Sequence, residues 1–109
     1  MTDEELTELC EISYEWGPAL MVPRAERAHD RFPQLSDADI AEAFRIADAM
    51  TARAYELLEP VWKASPVPGR PAANIDDNVA MLLEAENPHV APKTVAHAIW
   101  LANYDHWHG

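Results

Sequence analysis

An all-α fold is what this sequence predicts, and three observations predict it. The stretch Ser36–Lys63 carries one unbroken helical period with apolar residues on a single face. No run alternates apolar and polar residues with the period of two that a strand needs. The helix breakers Gly17-Pro18, Phe32-Pro33, Ser65–Pro71 and Asn87-Pro88 fall between periodic segments rather than inside them. The 109 residues suit one core, so the expectation is a single helical domain, 1–109. Its architecture is an irregular bundle of five helices around a long central helix (37–59).

The first helix is expected over residues 2–16. Thr2 followed by Glu5 forms a capping-box pattern, in which hydroxyl and carboxylate each accept one orphan N–H. Leu6, Leu9, Cys10, Ser13 and Trp16 share a face, widened by Ile12 and Tyr14. Gly17-Pro18 ends the helix, glycine suiting the residue past the last turn and proline blocking continuation. A second helix follows Pro23 over about 24–32. Its Arg24, Arg27 and Arg31 form a basic stripe, expected to pair with the acids of the first helix.

In the central helix Ser36 is the cap, and Asp37 and Asp39 complement the positive end of the helix dipole. Ile40, Ala43, Phe44, Ala47, Met50, Ala54, Leu58 and Val61 lie on one face, joined by Thr51, Tyr55 and Trp62. Glu42, Arg45, Arg53, Glu56 and Lys63 lie opposite. Pro60 lacks the N–H that would bond to Glu56, so the helix is expected to end near Glu59 or to kink there. A crossover loop over 64–74 leads to a fourth helix, 76–86, capped by Asn74 or Asp76, with Val79, Leu82 and Leu83 inward. Pro92 opens the fifth, expected to run to Tyr104 or Asp105, with Val95, Ala98, Ile99 and Ala102 facing the core. Trp100, Tyr104 and Trp107 spread its apolar coverage beyond one stripe, and from this a homodimer is expected.

Charge narrows the function classes. Eight Lys and Arg stand against 19 Asp and Glu, a net charge of −11. Such a surface repels nucleic acid phosphates and anionic lipid, so neither nucleic acid nor membrane is expected as partner. The last two helices have a helix-turn-helix outline, but Lys93 alone cannot neutralise a phosphate backbone. No run approaches the ~20 apolar residues of a membrane span. Cys10 is the single cysteine, so no disulfide forms within the chain and a cytoplasmic location is expected.

Two sets of residues carry the functional expectations. Glu4, Glu8, Glu11 and Glu15 stack at i, i+4 and i, i+3 spacing into one acidic ridge on the first helix. With Trp100 and Trp107 as aromatic anchors, the ridge is expected to bind a basic protein. The implied function is a small non-catalytic interaction domain, in the manner of an inhibitor, immunity protein or antitoxin. The alternative uses His97, Asp105 and His108, near one face of the last helix, in a small metal- or ligand-binding enzyme. No HExxH motif, Cys/His quartet, glycine-rich phosphate loop or nucleophile elbow accompanies those histidines, so no cofactor is expected.

Overall fold

The computed structural model describes residues 1–64 and 76–108, apart from the side chain of Asp76. Five α-helices run in the order α1 (Asp3–Ser13), α2 (Arg24–Arg31), α3 (Asp37–Lys63), α4 (Asp76–Glu86) and α5 (Pro92–His108). A short 3-10 turn, Gly17–Met21, links α1 to α2. There is no strand among the described residues. Most of the expected crossover loop, and Asn74 with it, lies outside the described residues.

The long helix α3 organises the rest. Ser36 Oγ accepts from the backbone N–H of Asp39 at 3.1 Å, which fixes the start. The face read from the period is the buried one: Ile40, Ala43, Phe44, Ala47, Met50, Ala54, Leu58 and Val61 are all in the core. Three residues of that expected stripe are not buried. Tyr55 is exposed, and Thr51 and Trp62 are half-buried at its edge. α5 covers α3 most extensively, followed by α1 and α4. All five helices contribute to one continuous apolar core.

Pro60 does not end α3, which continues to Lys63. The carbonyl of Glu56 loses a helical donor, but Glu56 is exposed and water can replace the bond. What holds the last turn is tertiary. Val61 is buried, and Trp62 Nε1 donates to Asn103 Oδ1 of α5 at 3.1 Å. The Ala64 N–H closes the helix on the Pro60 carbonyl at 2.9 Å.

Helix α1 begins on the capping box, with both reciprocal bonds between Thr2 and Glu5 formed. It ends at Ser13, three residues before the expected Trp16. Trp16 therefore leaves the buried stripe and is 49% exposed, while Tyr14 turns inward. Gly17 then takes a left-handed conformation, φ 71°, which an L side chain would strain. Arg27 ties this junction together. Its guanidinium donates to the carbonyls of Ile12 (2.9 Å) and Val22 (3.0 Å) and to Glu15 Oε1 (3.0 Å). Arg31 also reaches Glu15, at 2.9 Å. Arg24 departs from the expected pairing with α1 acids. It forms two bonds to Asp48 of α3, 2.8 and 3.0 Å, and one to Ser13 Oγ.

In α4 Val79 and Leu83 are buried, but Leu82 is 42% exposed, against expectation. α5 continues three residues past Asp105. Its last turn is held by His106, which stacks on Tyr55 at 3.7 Å and donates from Nε2 to the Tyr55 carbonyl at 2.8 Å. The molecule measures 49 × 30 × 17 Å. A backbone thickness of 17 Å is that of two helix layers, whose axes pack ~8–10 Å apart. Each helix thus keeps an outward side, and residues not aimed at a neighbour are left in solvent.

Cys10 and Tyr14 anchor α1 on α3, Cys10 Sγ against the Ala43 carbonyl at 3.9 Å and Tyr14 Oη donating to Ala47 O at 2.7 Å. Burial, reinforced by Glu11 and Asp48, pushes the Cys10 thiol from its ordinary 9.0 up to about 12. Burial raises the Tyr14 hydroxyl in the same direction. Above pH 9 the unfolded chain sheds a thiol proton that the folded chain retains. Folding stability from this group is thus complete below pH 9 and is lost as pH rises toward 12, with Tyr14 adding to the loss above pH 10. Urea unfolding across this range should show stability falling, with a shallower fall for Cys10→Ala. An equal slope in both proteins would contradict the assignment.

Candidate functional site

The seam between α1 and α5 brings polar and aromatic side chains of both helices together. Glu11 leaves α1 toward α5, and both of its oxygens are used. Oε1 accepts from Thr94 Oγ1 at 2.7 Å, and Oε2 lies 2.9 Å from His97 Nδ1. A carboxylate accepts, so Nδ1 carries a proton, and in the neutral tautomer that fits this bond the lone pair is on Nε2. Thr94 is fully buried, whereas Glu11 and His97 each keep about a third of the side chain exposed. Tyr14 meets the imidazole edge-on at 5.3 Å and Trp100 meets it at 6.4 Å. The ring is held by one carboxylate and two aromatic neighbours.

From His97 an aromatic row continues along α5. Trp100 stacks on Tyr104 at 5.8 Å, Tyr104 meets His108 at 4.1 Å with the rings tilted by 39°, and His108 lies 5.2 Å from Trp107. Trp16, released from the core by the early end of α1, sets its ring at 79° to both Trp100 (6.1 Å) and Tyr104 (5.3 Å). The row remains open to solvent: Trp100 is 54% exposed and Trp107 65%. Such ring pairs order one another, so the patch is a preset surface rather than loose side chains. Leu20 and Met21, on the 3-10 turn after Trp16, are also exposed.

The four glutamates of the expected ridge divide. Glu4 and Glu8 are exposed beside the α4–α5 turn, where they line a shallow cleft with His89, Pro92 and Lys93. Glu11 and Glu15 are half-buried and engaged within the chain, by Thr94 and His97 and by Arg27 and Arg31. The residues considered as metal ligands are not drawn together. His97 faces Glu11, Asp105 is exposed and His108 lies on Tyr104. Among the described residues no group of three or more His, Cys, Asp or Glu side chains is placed to hold a metal ion.

Comparison with protein-family models, with curated proteins and with solved structures finds no match.

Glu11, Thr94 and Trp16 carry geometry that spacing alone did not assign. Thr94 and His97 lie three apart on a helix otherwise apolar toward the core, a sign that something polar faces them. The sequence holds no sign that the partner is Glu11, 86 residues away. Among the described residues no helix is long and apolar enough to cross a membrane.

Proposed function

We propose that this chain is a small non-catalytic protein-interaction domain that binds a basic protein partner through the aromatic face of α5 and Trp16. The observation that carries the reading is the mutual packing of Trp16, Trp100 and Tyr104 into an ordered surface that stays in solvent. Tryptophan and tyrosine dominate binding energy at interfaces, and a monomer gains nothing by exposing them. The net charge of −11 supplies attraction for a basic partner. Exposed Glu4 and Glu8 act in steering, while Glu11 holds the α1–α5 seam and Glu15 ties the end of α1 to α2. A cytoplasmic setting belongs to this reading and rests on the single buried thiol. A homodimer would compete for the same tryptophans, but each copy carries the same charge, which opposes it. Affinity capture with the wild-type chain and with Trp16→Ala/Trp100→Ala tests the reading. Basic proteins should be retained by the first and lost with the second; equal retention by both contradicts it.

One observation favours a second reading, a small enzyme. His97 is oriented through Nδ1 by Glu11, as a general base is when a carboxylate fixes its tautomer. If Nε2 takes protons in catalysis, the chain hydrolyses activated aryl esters above background and His97→Ala abolishes the excess. A wild-type rate equal to that of the variant rejects this reading.

A further inference from the structure

The proposed interaction face has a feature that selects among basic partners. Among the described residues every arginine is already ion-paired within the chain: Arg24 with Asp48, Arg27 and Arg31 with Glu15, Arg45 with Glu42, and Arg53 with Glu56 and Glu86. Lys63 is paired with Glu59. One cation lies over an aromatic ring among these residues, Arg24 over Phe44 at 4.5 Å, on the α2–α3 side. None covers Trp16, Trp100 or Trp107, although tryptophan offers the strongest face to a cation. The chain thus exposes its best cation-binding rings, carries a net charge of −11 overall, and commits its described guanidinium groups elsewhere.

Resting on the reading above, we propose that the Trp16–Trp100–Tyr104 face, continued to Trp107, is a docking site for an arginine-bearing segment of another protein, whose guanidinium planes stack on the indoles. Arginine fits better than lysine because its planar, weakly hydrated group stacks on a ring, whereas an ammonium keeps its water. A second copy of the chain fits worse. Its described arginines are occupied, and it brings the same excess of carboxylates.

The test uses the full chain and two short peptides of equal charge, one alternating Arg with Gly and one alternating Lys with Gly, titrated at low ionic strength and followed by tryptophan fluorescence and calorimetry. The arginine peptide should bind more tightly, by about two- to fivefold for each guanidinium engaged. Trp100→Leu, which keeps an apolar side chain but removes the ring face, should reduce that preference, and Trp16→Ala/Trp100→Ala should abolish it. Circular dichroism checks that both variants remain folded. Equal binding of the two peptides that is lost with Trp16→Ala/Trp100→Ala overturns arginine docking while leaving the basic-partner reading in place; equal binding unchanged by either variant overturns both. Failure of both peptides to bind overturns both. Sedimentation showing a dimer that Trp100→Leu dissociates assigns the face to a second copy and overturns the proposal.

Discussion

Leu58→Ala lowers the free energy of unfolding by about 2–5 kcal/mol, the cost of deleting a fully buried leucine whose site cannot collapse. Leu58 has no solvent exposure and lies on the stripe where α3 meets the other helices. Its removal leaves a void inside the core that joins all five helices. A domain of this size has a total stability of roughly 5–15 kcal/mol, so the substitution removes a large share of it. Urea unfolding reads the loss as a lower midpoint at unchanged slope. The outward-facing control on the same helix is Ala49, which is exposed. Ala49→Ser should change stability by no more than ~0.5 kcal/mol. Similar losses at the two positions would mean that α3 is not buried on the face described.

The second large effect distinguishes glutamates that look alike along the chain. Glu11→Ala removes the acceptor of the Thr94 hydroxyl and of His97 Nδ1 together. Thr94 has no exposure, so its hydroxyl is left without its partner in the interior, at a cost of about 1–3 kcal/mol. Loss of the carboxylate also releases the His97 ring, which borders Trp100. Glu8→Ala, one turn earlier on exposed helix surface, should stay within ~0.5 kcal/mol of wild type. Thermal unfolding of the two variants side by side makes the comparison. If Glu8→Ala costs as much as Glu11→Ala, the glutamates act as one ridge and the seam described here does not hold α1 to α5.

The frame of the fold was legible because it rests on local periodicity. Ser36 capping α3, the stripe from Ile40 to Val61 and the core face of α5 all follow from spacing and cap chemistry. The misses share a physical cause, which is contact between residues distant in sequence. Pro60 argued for a helix end near Glu59 or a kink there; α3 does not end, because Val61 in the core and Trp62 bonded to Asn103 hold one more turn. The period placed Trp16 inside, but α1 stops at Ser13, where Arg27 takes the Ile12 carbonyl. Leu82 fits an inward stripe on paper, yet it lies in an open cleft beside Leu57, Pro60 and Ala64 of the α3 end and stays 42% exposed. Arg24 was assigned to α1 by charge alone and found Asp48 instead.

The candidate site was half legible. Trp100 and Trp107 stood out because the apolar girth of α5 exceeds one stripe, and both are exposed. His97 stood out as a histidine, but its partner could not be read, since Glu11 had every local reason to be a solvated residue of α1. The aromatic row required Trp16 to be outside, which depends on where α1 ends.

Nuclear magnetic resonance of the four indole N–H groups gives the most direct measurement of the interaction face. Three of them, in Trp16, Trp100 and Trp107, belong to exposed rings, while that of half-buried Trp62 is bonded to Asn103 of α5 and serves as an internal reference. On titration with the arginine peptide the first three signals should move and that of Trp62 should stay. Movement of Trp62 alone, or shifts confined to the backbone around Glu4 and Glu8 with the exposed indoles unmoved, would contradict the account.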